Sequence, residues 1–171
     1  KGNILSEKYS FRPVDSSDGL NYYCLSDIHM ELEGAKKAAD YNKDKEFLVI
    51  AGDTISMVDS YRDAQYVNKV AYELTKGEIP VVHAIGNHEI KGKYSEQLHK
   101  FLPSVNNKYY FTFKFDDVYG IVLDIGEDHD DDWWEYYDTA HFAEYQKEQV
   151  EWIKTELALD ESNKYCHKNY D

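Results

Sequence analysis

The chain has 171 residues, a formal net charge of -14 and a pI near 4.8, and 15% of it is aromatic, with Tyr contributing 16 residues. Length and aromatic content fit one folded domain and exclude a disordered chain. The charge argues against binding to nucleic-acid backbones or anionic membranes, which would be repelled, and no apolar run is long enough to cross a bilayer. An anionic substrate stays open if bound cations invert the local field. The start, Lys1-Gly2-Asn3-Ile4-Leu5, lacks the apolar core of a signal peptide. Because residue 1 is Lys rather than Met, an upstream segment is expected to have been removed or left out. The compartment is therefore open, with the cytoplasm slightly favoured over an extracytoplasmic site. Cys24 and Cys166 are far apart and are read as unpaired thiols.

In chain order, residues 1–20 read as a lead-in, with Tyr9-Ser10-Phe11 an edge strand that Pro13 stops. The domain proper runs over 21–171. A first core strand is predicted over 21–27 and a helix over 31–41, in which Gly34 would let a neighbour approach closely. A second strand covers 47–51. A helix over 61–75 carries Ala64, Val67, Val70, Ala71 and Leu74 on one stripe and ends near Gly77. A third strand covers 81–85 and a short helix 95–101. Residues 108–115 and 118–125 read as a hairpin, with Tyr109, Phe111, Phe113 and Phe115 on one face. The last helix, 142–159, carries Tyr145, Val150, Trp152, Ile153 and Leu157 as its apolar positions.

The strand ends carry the chemistry. The first leads into Asp27-Ile28-His29, the second into Gly52-Asp53, the third into Gly86-Asn87-His88-Glu89. On extended chain, Asp27 and His29 would share a face. Helices between the strands make a βαβαβ pattern, hence a parallel sheet with all three ends on one edge, where α/β sheets bind ligands. Imidazole, carboxylate and amide are donors for a borderline metal ion. Each residue also has a plainer reading: Asp27 and Asp53 as helix caps, Asn87 as a turn residue, His88 as a surface imidazole. His83, within the third strand, is read as a satisfied core histidine. His99 and His141 are read as packing or surface residues.

These three motifs, in order, resemble those of the calcineurin-like metallophosphoesterases. A looser likeness, Leu123-Asp124-Ile125-Gly126-Glu127-Asp128 followed by Tyr145, Gln149 and Trp152, resembles the branch related to purple acid phosphatases. The resemblance spans about residues 22–157. It implies an α/β fold: the βαβαβ half of a β-sandwich flanked by helices, four layers in the order αββα. It implies two divalent metal ions, of manganese, iron or zinc, and hydrolysis of a phosphomonoester or phosphodiester through a metal-bridging hydroxide. By the same resemblance Asp53 bridges the ions, Asp27 and His29 hold the first, and Asn87 holds the second. His88 reaches the phosphate or the leaving oxygen, and Glu89 orients a neighbouring imidazole from behind. The run from Glu127 to Asp132 is either a solvated acidic loop or a substrate lid, with Asp128, His129, Trp133 and Trp134 facing the centre. A calcium loop is a third reading, although the EF-hand spacing is missing.

Two motifs of the family have no match: a His after a later strand, and Gly-His-x-His. The domain is therefore expected to be incomplete at its C-terminus. An apolar sheet face is then left wet, at a cost of about 25 cal/mol per Å². Three explanations follow: a fragment of a longer protein, completion by a homodimer or domain swap, or a shortened relative that no longer catalyses. The last would make the chain a non-catalytic binding module on the same scaffold.

Overall fold

The computed structural model describes residues 8–127 and 129–158. Three strands form a parallel sheet in the order β1-β2-β3: β1 (Tyr22–Leu25), β2 (Phe47–Ala51) and β3 (Val81–Ala84). The register pairs Leu25 with Ile50 and Ile50 with His83. The crossovers are the helices α1 (Leu32–Ala39) and α2 (Tyr61–Thr75). A hairpin, β4 (Phe111–Phe115) with β5 (Val118–Val122), forms a second, antiparallel sheet. The chain ends its described part in α3 (Phe142–Ala158).

The period of two along β2 sorts its side chains between layers. Leu48 and Ile50 pack with Ala35 of α1 and Val70 of α2, while Phe47 and Val49 turn to the other face and meet Phe111, Phe113 and Phe115. On the far side of the hairpin, the Tyr110 ring lies 4.7 Å from that of Trp152 on α3. Thus α1 and α2, the parallel sheet, the hairpin and α3 follow one another as layers, in the αββα order expected from the resemblance.

Several expectations change. Among the described residues Tyr9-Ser10-Phe11 forms no strand, although the Arg12 N–H donates to the Glu78 carbonyl at 2.7 Å. Strand β1 stops at Leu25, so Asp27 and His29 do not share a face by strand alternation. Both have positive φ, 54° and 45°. Nothing approaches within 4 Å of where a Gly34 Cβ would sit. Helix α2 ends on Lys76 in the left-handed region, one residue before Gly77. Residues 95–100 are a 3-10 helix. On α3 Val150 is exposed and Gln149 is buried, because that face meets polar backbone at the end of β5. Leu159, Cys166 and His167 lie outside the described residues. Between the sheets runs an apolar cleft of about 480 Å³, bordered by Tyr22, Cys24, Val49, Val118 and Leu123. Cys24, expected in a core strand, is exposed there.

Candidate metal centre

The loops after β1, β2 and β3 are stitched into one surface. Asp27 N–H donates to Gly52 O at 3.2 Å, His29 N–H to Asp53 O at 2.9 Å and Met30 N–H to Thr54 O at 3.0 Å. The glycines of the second and third motifs let two backbones touch. A Cβ on Gly52 would meet Gly86 N at 2.6 Å, and one on Gly86 would meet Asp53 Oδ1 at 2.2 Å. No side chain fits in either space. Asp53 itself has φ 52°, and its Oδ1 accepts the His88 N–H at 3.0 Å.

The result is a cluster of donors. His29, Asp53 and His88 each offer an atom within 4.8 Å of the others, the metal-type set among the described residues. The His29 and His88 rings meet edge to face at 4.6 Å. Asp27 is outside that set but adjacent, its Oδ1 3.8 Å from His29 Nε2 and its side chain 67% exposed. Asn87 follows Gly86, and its Nδ2 donates to Glu127 Oε1 at 2.7 Å. His88 Nδ1 lies 2.7 Å from the Ser56 carbonyl. A carbonyl only accepts, so Nδ1 carries a hydrogen and Nε2 is the atom left to ligate or to exchange a proton.

Beneath this surface lies Glu89, fully buried. It was expected to orient an imidazole. Instead its Oε1 accepts the N–H groups of Thr54 (2.7 Å) and Ile55 (3.3 Å), and its Oε2 those of Gly86 (2.8 Å) and Asp53 (2.9 Å). Burial pushes its carboxyl up, and these four donors pull against that. Glu89 thus positions backbone: it holds the Asp53 loop against the Gly86 turn. His83 is the buried core histidine expected, with Nε2 3.2 Å from Thr54 Oγ1, and burial lowers it to about 4.

In the acidic run, His129 meets the Trp133 ring at 4.2 Å, and neither belongs to the donor set. Trp134 is 68% exposed. Asp128 lies outside the described residues. Asp131 is not merely solvated: its carboxylate accepts from Phe142 N at 2.8 Å and Ala143 N at 3.2 Å, capping α3. Sequence reasoning took Glu127 only as part of the looser motif and the acidic run, and missed its contact with Asn87.

Two imidazoles and a carboxylate, with a second carboxylate and an amide beside them, suit a borderline divalent cation, and the chain's negative charge favours one. Fold and site together define an α/β protein with metal-type donors at the carboxyl edge of a parallel sheet. A family model described as calcineurin-like phosphoesterase matches residues 20–167, and the chain belongs to that family. Its members typically bind divalent metals and hydrolyse phosphoesters. No curated protein matches the chain.

Proposed function

We propose that this chain is a phosphoesterase of the branch related to purple acid phosphatases, acting on a phosphomonoester or phosphodiester with a dinuclear centre of manganese, iron or zinc. The observation that carries the reading is the donor set His29, Asp53 and His88, brought within 4.8 Å at the ends of three neighbouring parallel strands. Asp27, His29, Asp53 and Asn87 would hold the ions. When bound, such ions stabilise charge on phosphoryl oxygens and supply a nucleophile at neutral pH.

The chain's own residues do the rest. Glu89 and the two glycines keep Asp53 in place before any ion arrives, so no loop must reorganise. Ser56 fixes the His88 ring through Nδ1, which leaves Nε2 to hydrogen-bond the phosphoryl group or protonate the leaving oxygen. The exposed aromatics Trp133 and Trp134 supply an apolar rim for the organic part of the substrate.

The test is hydrolysis of p-nitrophenyl phosphate and its bis-ester with added manganese, alongside bound-metal analysis. Asp53→Ala should lose both metal and turnover. His88→Ala should keep metal and lose about 10²–10⁴-fold in kcat, the range for general acid catalysis. Turnover unchanged in Asp53→Ala would overturn the reading. Metal lost together with turnover in His88→Ala would make His88 a ligand instead.

A further inference from the structure

The chain leaves β5 for the candidate centre by a route that α3 fixes. Gln149, buried on α3, accepts the Asp124 N–H at 2.9 Å and donates to the Asp124 carbonyl at 2.6 Å. The Asp124 carboxylate, itself buried, accepts the Gly126 N–H at 3.0 Å and the Tyr145 hydroxyl. Gly126 has φ 75°, and a Cβ there would come within 2.8 Å of the Phe142 ring. The next residue is Glu127, whose side chain is 2% exposed. Its Oε1 lies 2.7 Å from Asn87 Nδ2 and its Oε2 3.0 Å from Lys91 Nζ. Helix, buried amide, buried carboxylate and glycine turn together deliver one carboxylate to one amide.

We propose that Glu127 is a positioning residue that sets the orientation of Asn87. An ammonium only donates, so Lys91 takes up Oε2 as an acceptor and balances the buried charge. The remaining oxygen accepts as well, so the NH2 end of Asn87 must face it. That leaves Asn87 Oδ1, the amide atom a cation can use, directed away from Glu127. Without Glu127 the amide is able to turn over and present its NH2 group to the ion. The inference rests on the reading of Asn87 as a ligand. It explains why a buried carboxylate stands beside a ligand amide without belonging to the donor set.

Calorimetric titration of the full chain with Mn²⁺ tests it, in a double-mutant cycle with Asn87→Ala. Glu127→Leu should weaken Mn²⁺ binding about 10–100-fold, the usual cost of removing a partner behind a ligand. Glu127→Gln should stay within about threefold of the parent, because its one carbonyl still accepts from Asn87 while Lys91, whose side chain is 38% exposed, turns its ammonium to water. In the Asn87→Ala background, Glu127→Leu should cost nothing further, since positioning needs the ligand it positions. In the metal-free chain, the Asn87 side-chain amide resonances should shift strongly in Glu127→Leu and weakly in Glu127→Gln. A merely structural role would lower the urea midpoint and give additive losses in the cycle. Additive losses, or unchanged affinity in Glu127→Leu, overturn the proposal alone. A parent chain that takes up no Mn²⁺ overturns the metal-centre reading and the proposal with it.

Discussion

Replacing Glu89 by Gln changes one oxygen to an NH2 group and almost nothing in shape, yet the surroundings make it a severe substitution. Each carboxylate oxygen accepts two backbone N–H groups: Thr54 and Ile55 on one, Gly86 and Asp53 on the other. Whichever way a Gln amide turns, two of these buried donors face another donor. An unsatisfied buried donor costs about 1–3 kcal/mol, so the direct loss is about 2–6 kcal/mol. Removing a charge that burial disfavours gives part of this back, as the raised Glu89 carboxyl indicates. The expected net loss is about 2–4 kcal/mol, a large share of the ~5–15 kcal/mol that holds a domain together. Urea unfolding followed by tryptophan fluorescence measures it, using the chain's three Trp residues. Because the freed N–H groups belong to the Asp53 loop and the Gly86 turn, Mn²⁺ affinity should fall in the same variant. A Glu89→Gln protein within about 0.5 kcal/mol of the parent, well short of the loss from even one orphaned donor, would refute this account.

Three further outcomes are expected. His83 is lowered by burial to about 4 from an ordinary 6.5, so the unfolded chain binds the proton first. Stability from this residue is complete above about pH 6.5 and drains away towards pH 4, by about 3 kcal/mol, and His83→Gln should show a flatter urea-midpoint profile over that window. Gly86→Ala should displace the Asp53 carboxylate, because the new methyl would sit 2.2 Å from its Oδ1. Overpacking of this kind costs about 1–3 kcal/mol, and a matched fall in Mn²⁺ affinity by calorimetry would locate the damage. Gln149→Leu orphans both backbone groups of Asp124 and should lower stability by about 2 kcal/mol or more, measured by denaturant midpoint.

Much of this architecture is legible in the residues, for physical reasons that can be named. Strand β2 and helix α2 have the predicted bounds, because an unbroken apolar run and a stripe of period 3.6 each admit one reading. The hairpin follows from alternating aromatics before an Asp-Asp turn and a short apolar run after it. The alternation argument for Asp27 and His29 gave the right neighbourhood by the wrong route: positive φ and hydrogen bonds to the next loop bring His29 to the centre. Those bonds join residues far apart in order, so no local pattern announces them. Glu89 shows the same limit, because a Glu after a His says nothing about four N–H groups converging from two other segments. Glu127 was hidden beside the four other acids of its run, which share its chemistry and differ only in where the chain turns. The buried face of α3 was misassigned because hydropathy favours Val150, whereas the partner there is polar backbone that only Gln149 can satisfy.

The backbone at Asp27, His29 and Asp53 lies in the region that L-residues avoid, at φ of 54°, 45° and 52°. Conformations of this kind cost on the order of 1–3 kcal/mol each and persist only where their surroundings enforce them. Glycine at any of the three would relax the chain and delete a donor in the same stroke. Directed selection of this protein for heat resistance alone would therefore drift towards a sturdier molecule with a blank centre. Any screen meant to harden it has to score metal retention at every round.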